Sequence, residues 1–344
     1  MAEERKPGIR ISQKDRDRFC QMDAFEGELR DRGYRAVAGV DEAGRGPLAG
    51  PVVAAACILP ASVQIYGLND SKKMTAKRRD YLSGVIRAKA VAWAIAGVEA
   101  EEIDRTNILQ ATKEAMRRAL AELPRKPDLA LIDALALSGL DYPALAEIKG
   151  DARHNVIAAA SILAKTARDG IMESWDKIYP QYGFASHKGY GTAAHMEAIR
   201  QYGPCPIHRQ SFLGGICPQG PADRSAYHTG LRVEGLVARD LMAKGHSILE
   251  HRFALDGIGE IDLITCREEK IFIIECKGRG ASSQAFGGLG EALEAGQIRR
   301  IRQAAACWLD RHADSDNKQV TLLYAAVELS GKEQSPAITY LPFD

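Results

Sequence analysis

The sequence lacks the features that mark several classes of protein. Its seven cysteines are odd in number and include no CxxC pair, which argues against a disulfide framework and a cysteine zinc site. No apolar run approaches the roughly 20 residues that a membrane-spanning helix needs. The charged N-terminus, MAEERKPGIR, has no apolar core of the kind found in secretory signals. We therefore expect a cytoplasmic protein that does not associate with a membrane.

An excess of one charge is also absent. The chain has 46 Lys and Arg residues against 45 Asp and Glu residues, which gives a net charge of +1. No strong overall field attracts the chain to a polyanion, so any nucleic-acid site must be a local basic patch. What the sequence does have is length and apolar content. Its 344 residues, 46% of them hydrophobic, are enough for two packed domains.

A change in composition marks the predicted domain boundary. The segment GGICPQGPADRSAY, residues 214–227, is rich in glycine, proline and small polar residues and has no periodicity. We predict an N-terminal domain over residues 1–215, a linker over 216–227 and a C-terminal domain over 228–344.

Short apolar runs and longer periodic segments predict an α/β fold on both sides of the linker. In the first domain the predicted strands are residues 36–40, 50–59, 90–98 and 129–133, and the predicted helices lie before Arg35, after Thr75, after Ile108 and over 155–177. In the second, the predicted strands are 247–255, 260–266, 270–276, 320–329 and 337–341, with helices ending at Gly245 and covering 291–312. We expect a mixed sheet with flanking helices, followed by a second, small α/β domain.

Acidic residues stand at the ends of predicted strands in the first domain. Asp41 and Glu42 follow an apolar run and precede a glycine-rich loop, and Asp133 ends the run DLALID. Functional sites gather at the carboxyl edge of an α/β sheet, so these acids predict a shared site. Asp151, before the long helix, is a fourth candidate. The alternatives are that the first two acids cap a loop or pair with Arg45, and that Asp151 caps the helix.

These four carboxylates have no paired histidine or cysteine, which suits Mg²⁺ or Mn²⁺ better than zinc. Carboxylates that hold two such ions are the arrangement for phosphodiester hydrolysis. The predicted loop, residues 42–47, contains Gly44, Arg45 and Gly46. These residues offer backbone amides and a guanidinium to a sugar–phosphate that lies close to the chain.

Asp169 is a further acid on the same predicted helix, but it does not fit this site. It lies 18 residues after Asp151, a rise of about 27 Å along a continuous helix. We therefore expect Asp169 to be a structural partner of Arg168 and not a metal ligand.

Seven motifs follow one another over residues 20–215. They are DEAGRGPLAGP at 41–51, NDSKK at 69–73, LID at 131–133, KGDA at 149–152, IAAASILAK at 157–165, HKGYGT at 187–192 and PIHRQSF at 206–212. Together they resemble the ribonuclease HII family. The resemblance implies a ribonuclease H-like fold and an endonuclease that hydrolyses the RNA strand of RNA–DNA hybrids. It also implies incision on the 5′ side of a single ribonucleotide in duplex DNA, with 5′-phosphomonoesters as products.

The resemblance also implies roles for individual residues. The catalytic, metal-binding residues would be Asp41, Glu42, Asp133 and Asp151. The residues that sense the ribose 2′-OH would be Gly44, Arg45 and Gly46, with the ring of Tyr190 stacked on the sugar. The 2′-OH is what distinguishes RNA from DNA at such a site. Without the resemblance, Tyr190 would be an ordinary surface tyrosine.

A basic cluster begins in the NDSKK motif. Lys72 and Lys73, beside Lys77, Arg78 and Arg79, form a candidate surface for the phosphates of the substrate. The alternative is a solvated patch with no ligand.

The second domain carries another acidic pattern. The segments GEIDLI and IFIIECKGR place Asp262 before Glu275 and Lys277, which are two residues apart and share one face of a strand. Acids in this pattern hold a metal, and the lysine orients or activates water. Glu234 is a further candidate ligand, and Gln297 opens a helix whose arginines could follow a phosphate backbone. The alternative is a solvated hairpin with alternating charge.

Residues 228–341 resemble the UPF0102/YraN family, which is similar to PD-(D/E)xK nucleases and archaeal Holliday-junction resolvases. The resemblance implies a restriction-endonuclease-like fold and a DNA nuclease, with branched DNA as a candidate substrate. Two alternatives stay open. The second domain could be a non-catalytic DNA-binding module, or the whole chain could be a structure-specific DNA nuclease. The sequence identifies no protein partner.

Overall fold

The structure, a computed structural model, describes residues 11–216, 226–255, 258–280, 295–312, 318–329 and 337–343. The chain divides into two compact units. The first contains residues 11–172, 186–196 and 207–216, and the second contains the other described residues. The predicted boundaries at 215 and 228 remain predictions, since residues 217–225 lie outside the described part.

The first sheet has five strands. They are β1 (Val37–Ala43), β2 (Val52–Ile58), β3 (Ala92–Val98), β4 (Leu129–Asp133) and β5 (Ala144–Glu147). Their order across the sheet is β3-β2-β1-β4-β5. The first three strands pair antiparallel, whereas β4 pairs parallel to β1 and β5 pairs parallel to β4. The predicted mixed sheet is therefore confirmed.

Helices flank this sheet. In chain order they are α1 (Gln13–Asp31), α2 (Ala76–Lys89), α3 (Ala100–Arg105), α4 (Ile108–Ala121), α5 (Asn155–Ile178), α6 (Phe184–His187) and α7 (Ala193–Tyr202). Local sequence sets their starts. Ser12 and Asp15 form a capping box at α1, and the Thr75 hydroxyl accepts from the amide of Arg78 at α2, as its position predicts.

The small side chains of β2 let helices pack on both faces of the sheet. Every residue of this strand is buried. Ala54 and Ala56 belong to the apolar cluster on the α4 side, and Ala55 and Cys57 belong to the cluster on the α5 side. This alternation follows from the two-residue period of a strand. Helix α5 comes so close to β1 that a Cβ on Gly39 would lie 2.1 Å from a backbone atom of Val156.

The second unit holds a separate five-stranded sheet. Its strands are β6 (Ser247–Leu255), β7 (Gly259–Arg267), β8 (Lys270–Gly280), β9 (Gln319–Leu329) and β10 (Ala337–Pro342), in the order β10-β9-β8-β7-β6. Only β8 and β9 pair parallel, and α9 (Ala295–Asp310) lies between them in the chain. Helix α8 (Ala226–Ala243) precedes the sheet. The predicted small α/β domain is confirmed.

Some predicted boundaries were wrong. Strand β1 continues through Ala43, because residues 41–43 keep pairing with β2, so the predicted loop over residues 42–47 begins later. The prediction also missed β5, a four-residue edge strand with few buried side chains. Helix α8 begins at Ala226, inside the predicted linker. The predicted start of the last helix, residues 291–294, lies outside the described residues. In the described part of the chain, no helix has the length and apolarity that crossing a membrane requires.

Candidate active site

Two of the predicted acids lie at the same edge of the first sheet. Strands β1 and β4 are parallel neighbours, and their last paired residues are Val40 and Ile132. Asp41 and Asp133 are the next residue of each strand. The topology therefore places these two carboxylates side by side at the carboxyl ends of adjacent parallel strands.

Burial and mutual repulsion act on the acids at this edge. Asp41 is only 5% exposed, and its burial raises its pKa well above the usual range. The negative charges of Glu42 and Asp133 raise this pKa further, and a hydrogen bond from Ser161 on α5 opposes them. Burial also raises the pKa of Glu42; Arg45 opposes this effect and Asp133 adds to it. The ion pair with Arg45, which was the alternative interpretation, is present for Glu42 at 3.5 Å alongside the acidic cluster.

Asp151 joins the cluster from a short 3-10 turn, Gly150–Ala152. The amide of Gly150 donates to Oδ1 of Asp133 at 2.7 Å, which fixes the turn to the end of β4. Burial raises the pKa of Asp151, and the charges of Asp70 and Asp133 raise it further. Asp151 stands four residues before the first residue of α5, so the alternative that it caps this helix was wrong.

The cluster has the chemistry of a hard-cation site. The Oε2 atom of Glu42 is buried and has no hydrogen-bond partner, which is costly for a carboxylate unless a cation or proton compensates it. Charge interactions link Asp41 to Glu42 and Asp133, Glu42 to Asp133, and Asp151 to Asp70 and Asp133. Among the described residues no three such side chains already converge as a complete ligand set. The donors are all carboxylates, which suits a hard divalent cation.

A glycine-rich loop, residues 44–51, follows β1 and is called the glycine loop below. Gly44 has a φ of +99°, and a Cβ at this position would lie 2.0 Å from Nε of Arg168. Only glycine therefore fits at the start of the loop. Its conformation is fixed by contacts with buried guanidinium groups.

Two buried arginines support the glycine loop from beneath. Arg209 donates to four carbonyl oxygens of the loop at 2.6–3.0 Å, those of Gly44, Arg45, Pro47 and Gly50. Arg168 donates to Ala49 and Pro51 of the same loop and to Lys188. Burial lowers the pKa of Arg168, and it lowers that of Arg209 to about 9. Both groups stay charged at neutral pH.

Tyr190 lies in a second loop, residues 187–192, called the tyrosine turn below. Its side chain is 44% exposed. The amide of Leu48 donates to the carbonyl of Gly189 at 2.8 Å, and a Cβ on Gly46 would lie 3.6 Å from the Tyr190 ring. The glycine loop and the ring therefore form one continuous surface beside the acidic cluster.

The basic residues of the NDSKK region separate into different roles. The charge of Lys72 acts on Glu42 and Asp151, so this ammonium lies near the acids. Lys73 is exposed and pairs with Asp70 at 3.5 Å. The proposed wider patch was only partly right. Arg78 and Arg79 instead form structural ion pairs.

These pairs also correct the expectation for Asp169. Arg79 binds Asp169 at 3.2 Å, and Lys165 binds it at 2.5 Å. Asp169 is thus a structural partner, but of these two residues and not of Arg168. Arg78 binds Asp15 at 2.9 Å.

The second unit brings its candidates together, and the charge of Glu234 acts on Asp262. Asp262 on β7 accepts from the amide of Cys276 on β8 at 2.7 Å. Burial raises the pKa of Asp262 to about 6 and that of Glu275 to about 7, and Asp262 itself adds to the rise at Glu275. The Nζ atom of Lys277 lies 4.0 Å from Glu275, and Gln297 on α9 donates to the same carboxylate at 2.7 Å.

Glu234 has a different environment. Arg252 donates to both of its carboxylate oxygens at 2.7 and 2.8 Å, and His251 contacts it at 2.5 Å. Burial alone would raise the pKa of Glu234, but the hydrogen bonds from Arg252 and His251 lower it overall. Its oxygens are therefore already committed, which does not favour the predicted role as a metal ligand.

Two separate parts of the chain match known families. Residues 38–214 match the family model described as Ribonuclease HII. The chain is 54% identical over 200 residues to a ribonuclease HII of Acetivibrio thermocellus, a match that covers 58% of this chain and 78% of that protein. It is 57% identical over 188 residues to a ribonuclease HII of Solibacter usitatus, covering 55% and 82%. The chain belongs to the ribonuclease HII family.

The ribonuclease HII match makes the protein an endoribonuclease of the ribonuclease H type. Among solved structures, the ribonuclease H2 of Pyrococcus horikoshii OT3 is 31% identical with a TM-score of 0.45, and the match covers 51% of this chain and 93% of that one. Residues 233–327 match the model described as Uncharacterised protein family UPF0102. Two families are thus joined in one chain, as the motifs predict.

Several residues of the ribonuclease HII site were not predicted from the sequence. They support the predicted residues through hydrogen bonds or charge, and they are Asp70, Ser161, Arg168, His195 and Arg209. The available signal was their position inside or next to the recognised motifs. Nothing in the residue types alone says which loop carbonyl or carboxylate they contact.

Proposed function

We propose that the first unit hydrolyses the RNA strand of RNA–DNA hybrids and incises on the 5′ side of single ribonucleotides in duplex DNA. The observation that carries this proposal is that the acidic cluster and a surface suited to a ribose lie side by side. A cluster of carboxylates, of which Asp41 is buried and the others are half-buried, lies beside the glycine loop and the exposed ring of Tyr190. Such a surface combines a hydrolytic centre with a means of reading a ribose.

The carboxylates of Asp41, Glu42, Asp133 and Asp151 would hold the cofactor, Mg²⁺ or Mn²⁺. A pair of such ions, when bound, activates water and stabilises the leaving oxygen of the phosphodiester. The unpartnered Oε2 of Glu42 supports this role, because a buried carboxylate oxygen without a partner needs a compensating charge.

Residues next to the acidic cluster would recognise the substrate. Arg45, whose side chain is partly exposed, reaches Glu42 and is placed to contact a phosphate next to the cluster. The backbone amides of Gly44 and Gly46 would approach the sugar. The ring of Tyr190 offers a flat apolar plate for the adjacent sugar. Lys72 adds positive charge near the acids, and Lys73 is exposed at their margin.

The test is cleavage of an end-labelled DNA duplex that carries one ribonucleotide, with an all-DNA duplex alongside and Mg²⁺ or Mn²⁺ present. We expect wild type to cut only 5′ to the ribonucleotide and Asp133→Asn to lose at least 10³-fold in rate, since it removes a charge from the centre. Asp141→Asn is the matched control, because Asp141 is exposed and pairs only with Lys126 among the contacts described. Folded wild type that leaves the ribonucleotide duplex intact would refute the proposal.

A second function is favoured by the grouping in the second unit. Asp262, Glu275, Lys277 and Gln297 lie together, and two of these are buried acids with raised pKa values. This set supports a metal-dependent DNA nuclease. The exposed arginines of α9, Arg299, Arg300 and Arg302, would contact the phosphate backbone. The rival is a DNA-binding module that uses the same helix without cutting.

Cutting and binding can be separated with one variant. Asp262→Ala should abolish cleavage of a four-way junction or an all-DNA duplex while DNA binding in a gel-shift assay persists. If wild type binds these DNAs and cuts none of them with either metal, the binding module is the correct function. A structure-specific DNA nuclease as the whole activity is less favoured, because the glycine loop and Tyr190 would then have no ribose to read.

A further inference from the structure

Arg168 connects the two loops that carry the proposed ribose contacts. Its side chain lies on α5 and is 1% exposed. Nε donates to the carbonyl of Pro51 at 2.9 Å and Nη2 to that of Ala49 at 3.1 Å, both in the glycine loop. Nη1 donates to the carbonyl of Lys188, in the tyrosine turn, at 3.0 Å. One rigid group thus holds backbone atoms of both loops.

We propose that Arg168 is a positioning residue that sets the glycine loop and the tyrosine turn in the relative placement needed to recognise a ribose. The proposal rests on the proposed function of the first unit. Arg168 would be a determinant of substrate specificity that does not itself contact the substrate. It lies beneath the surface formed by the glycine loop and the Tyr190 ring.

The geometry requires arginine at this position. The three acceptors are bonded by three different nitrogens of a planar group, so each carbonyl has its own donor in a fixed direction. A lysine carries three donors on one atom at the end of a flexible stem and cannot reproduce that spread. Burial lowers the pKa of Arg168, and the charges of Tyr190 and Asp169 oppose this effect.

Two glycines of the glycine loop lie next to the side chain of Arg168. A Cβ on Gly44 would lie 2.0 Å from Nε of Arg168, whereas one on Gly50 would lie 2.3 Å from Sδ of Met172 and 3.4 Å from Nη2 of Arg168. At Gly44 the loop backbone therefore lies directly against the arginine. A change in the position of Arg168 must move the loop backbone.

Arg209 differs from Arg168 in an informative way. The four carbonyl groups to which Arg209 donates all belong to the glycine loop, so these bonds hold the shape of that loop. Arg168 also reaches Lys188. The backbone bond from Leu48 to Gly189 is a second tie between the loops. Loss of Arg168 should therefore loosen the placement of the Tyr190 ring without detaching the loops.

The experiment compares two substrates. One is a DNA duplex with a single ribonucleotide, and the other is a long RNA–DNA hybrid. Arg168→Lys and Arg168→Gln are measured for kcat and KM on both. The duplex with a single ribonucleotide can be bound for cleavage in one position only, whereas the hybrid has a 2′-OH at every nucleotide of its RNA strand. We expect kcat/KM to fall on the order of 10²-fold on the single ribonucleotide and clearly less on the hybrid. Arg118→Gln is the control, because Arg118 pairs with Glu102 and Glu114.

The ratio of the two substrates decides the outcome. If Arg168 only filled space or supplied charge, lysine would restore the activity. Any remaining loss of activity would then be equal on the two substrates. If both variants fold and keep the wild-type ratio, the proposal is overturned. Wild type that cuts neither substrate would instead refute the proposed function, so the two failures are distinguishable.

A third variant covers the case in which neither Arg168 variant folds. Gly44→Ala keeps the arginine but forces a methyl group against its Nε atom. Hydrogen exchange of residues 187–192 is the measurement, since Gly44 itself is proposed to meet the substrate. Faster exchange in the tyrosine turn is expected. Unchanged exchange there would show that displacing Arg168 does not reach Tyr190, and would overturn the proposal.

Discussion

The Nε2 atoms of His195 and His208 face each other at 3.0 Å, and both rings are buried. The Nδ1 atom of His195 lies 2.9 Å from the carbonyl oxygen of Tyr190, which only accepts, so Nδ1 carries the proton. In the neutral ring, Nε2 of His195 is then the acceptor and His208 is the donor. The pair thus holds the backbone of Tyr190 through a defined sequence of donors and acceptors.

His208→Leu should remove the hydrogen bond between His208 and Nε2 of His195. Loss of one partner of a buried hydrogen bond costs about 1–3 kcal/mol, so the first unit should lose stability by roughly this amount. His208→Gln is the matched control, because its side-chain amide can donate in place of the ring. Hydrogen exchange of peptides from β2 in urea reports the first unit without interference from the second. Equal stability of the two variants would show that the His195 bond does not support the tyrosine turn.

Glu26 should make the stability of the first unit depend on pH. It lies on α1 and accepts from the amide of Val156 at 3.0 Å, and burial raises its pKa from 4.5 to about 7. The folded state therefore binds this proton more tightly than the unfolded state. Stability from this group is fully present below pH 4.5, is lost as the pH rises to about 7, and stays lost above it.

Glu26→Gln should remove that loss, since its amide oxygen still accepts from Val156 and never ionises. We expect the variant to be more stable than wild type by up to about 3 kcal/mol at pH 8 and by little at pH 4.5. Glu28→Gln, on the exposed face of the same helix, is the control. The measurement is urea unfolding at several pH values, followed by exchange of β2. A wild-type slope that survives in Glu26→Gln would contradict the expectation.

The motifs and the ends of apolar runs were sufficient to predict the acidic cluster, because strand topology alone brings Asp41 and Asp133 to one edge. They could not predict the support beneath it. Arg168 bonds carbonyls more than 100 residues away in the chain, and its residue type fits equally well with an exposed position. For Glu234, the sequence predicts a role that its contacts in the structure do not favour. Its motif position suits a metal ligand, but Arg252 and His251 from β6 occupy its oxygens.

The different environments of Asp262 and Glu234 predict different effects when each is substituted. Asp262→Asn should abolish binding of Mn²⁺ there, whereas Glu234→Gln should retain it within several-fold. Glu234→Gln should instead destabilise the unit by about 1–3 kcal/mol, because it removes the charge from part-buried hydrogen bonds with Arg252 and His251. Calorimetric titration with Mn²⁺ in an Asp133→Asn background isolates the second unit. Loss of Mn²⁺ binding in a folded Glu234→Gln would return Glu234 to the ligand set.

Ser161 should control how tightly the first unit holds its cation. Its hydroxyl hydrogen-bonds Asp41, which favours the ionised carboxylate, and its Oγ lies 2.9 Å from Oγ of Ser71. Ser161→Ala removes the bond to Asp41, so the carboxylate holds its proton more strongly and competes less well for a cation. A loss of about 1 kcal/mol corresponds to a roughly five-fold higher Mg²⁺ concentration for half-maximal cleavage.

Ser71→Ala is the matched control for this change. It removes the bond between the two serines but leaves Ser161 free to donate to Asp41, so the Mg²⁺ requirement should change less than two-fold. Cleavage of the single-ribonucleotide duplex is measured against Mg²⁺ concentration for wild type and both variants, at a pH where all are folded. If the two variants shift the requirement equally, the effect comes from the packing of the serine pair. A shift confined to Ser161→Ala assigns it to the bond that keeps Asp41 ionised.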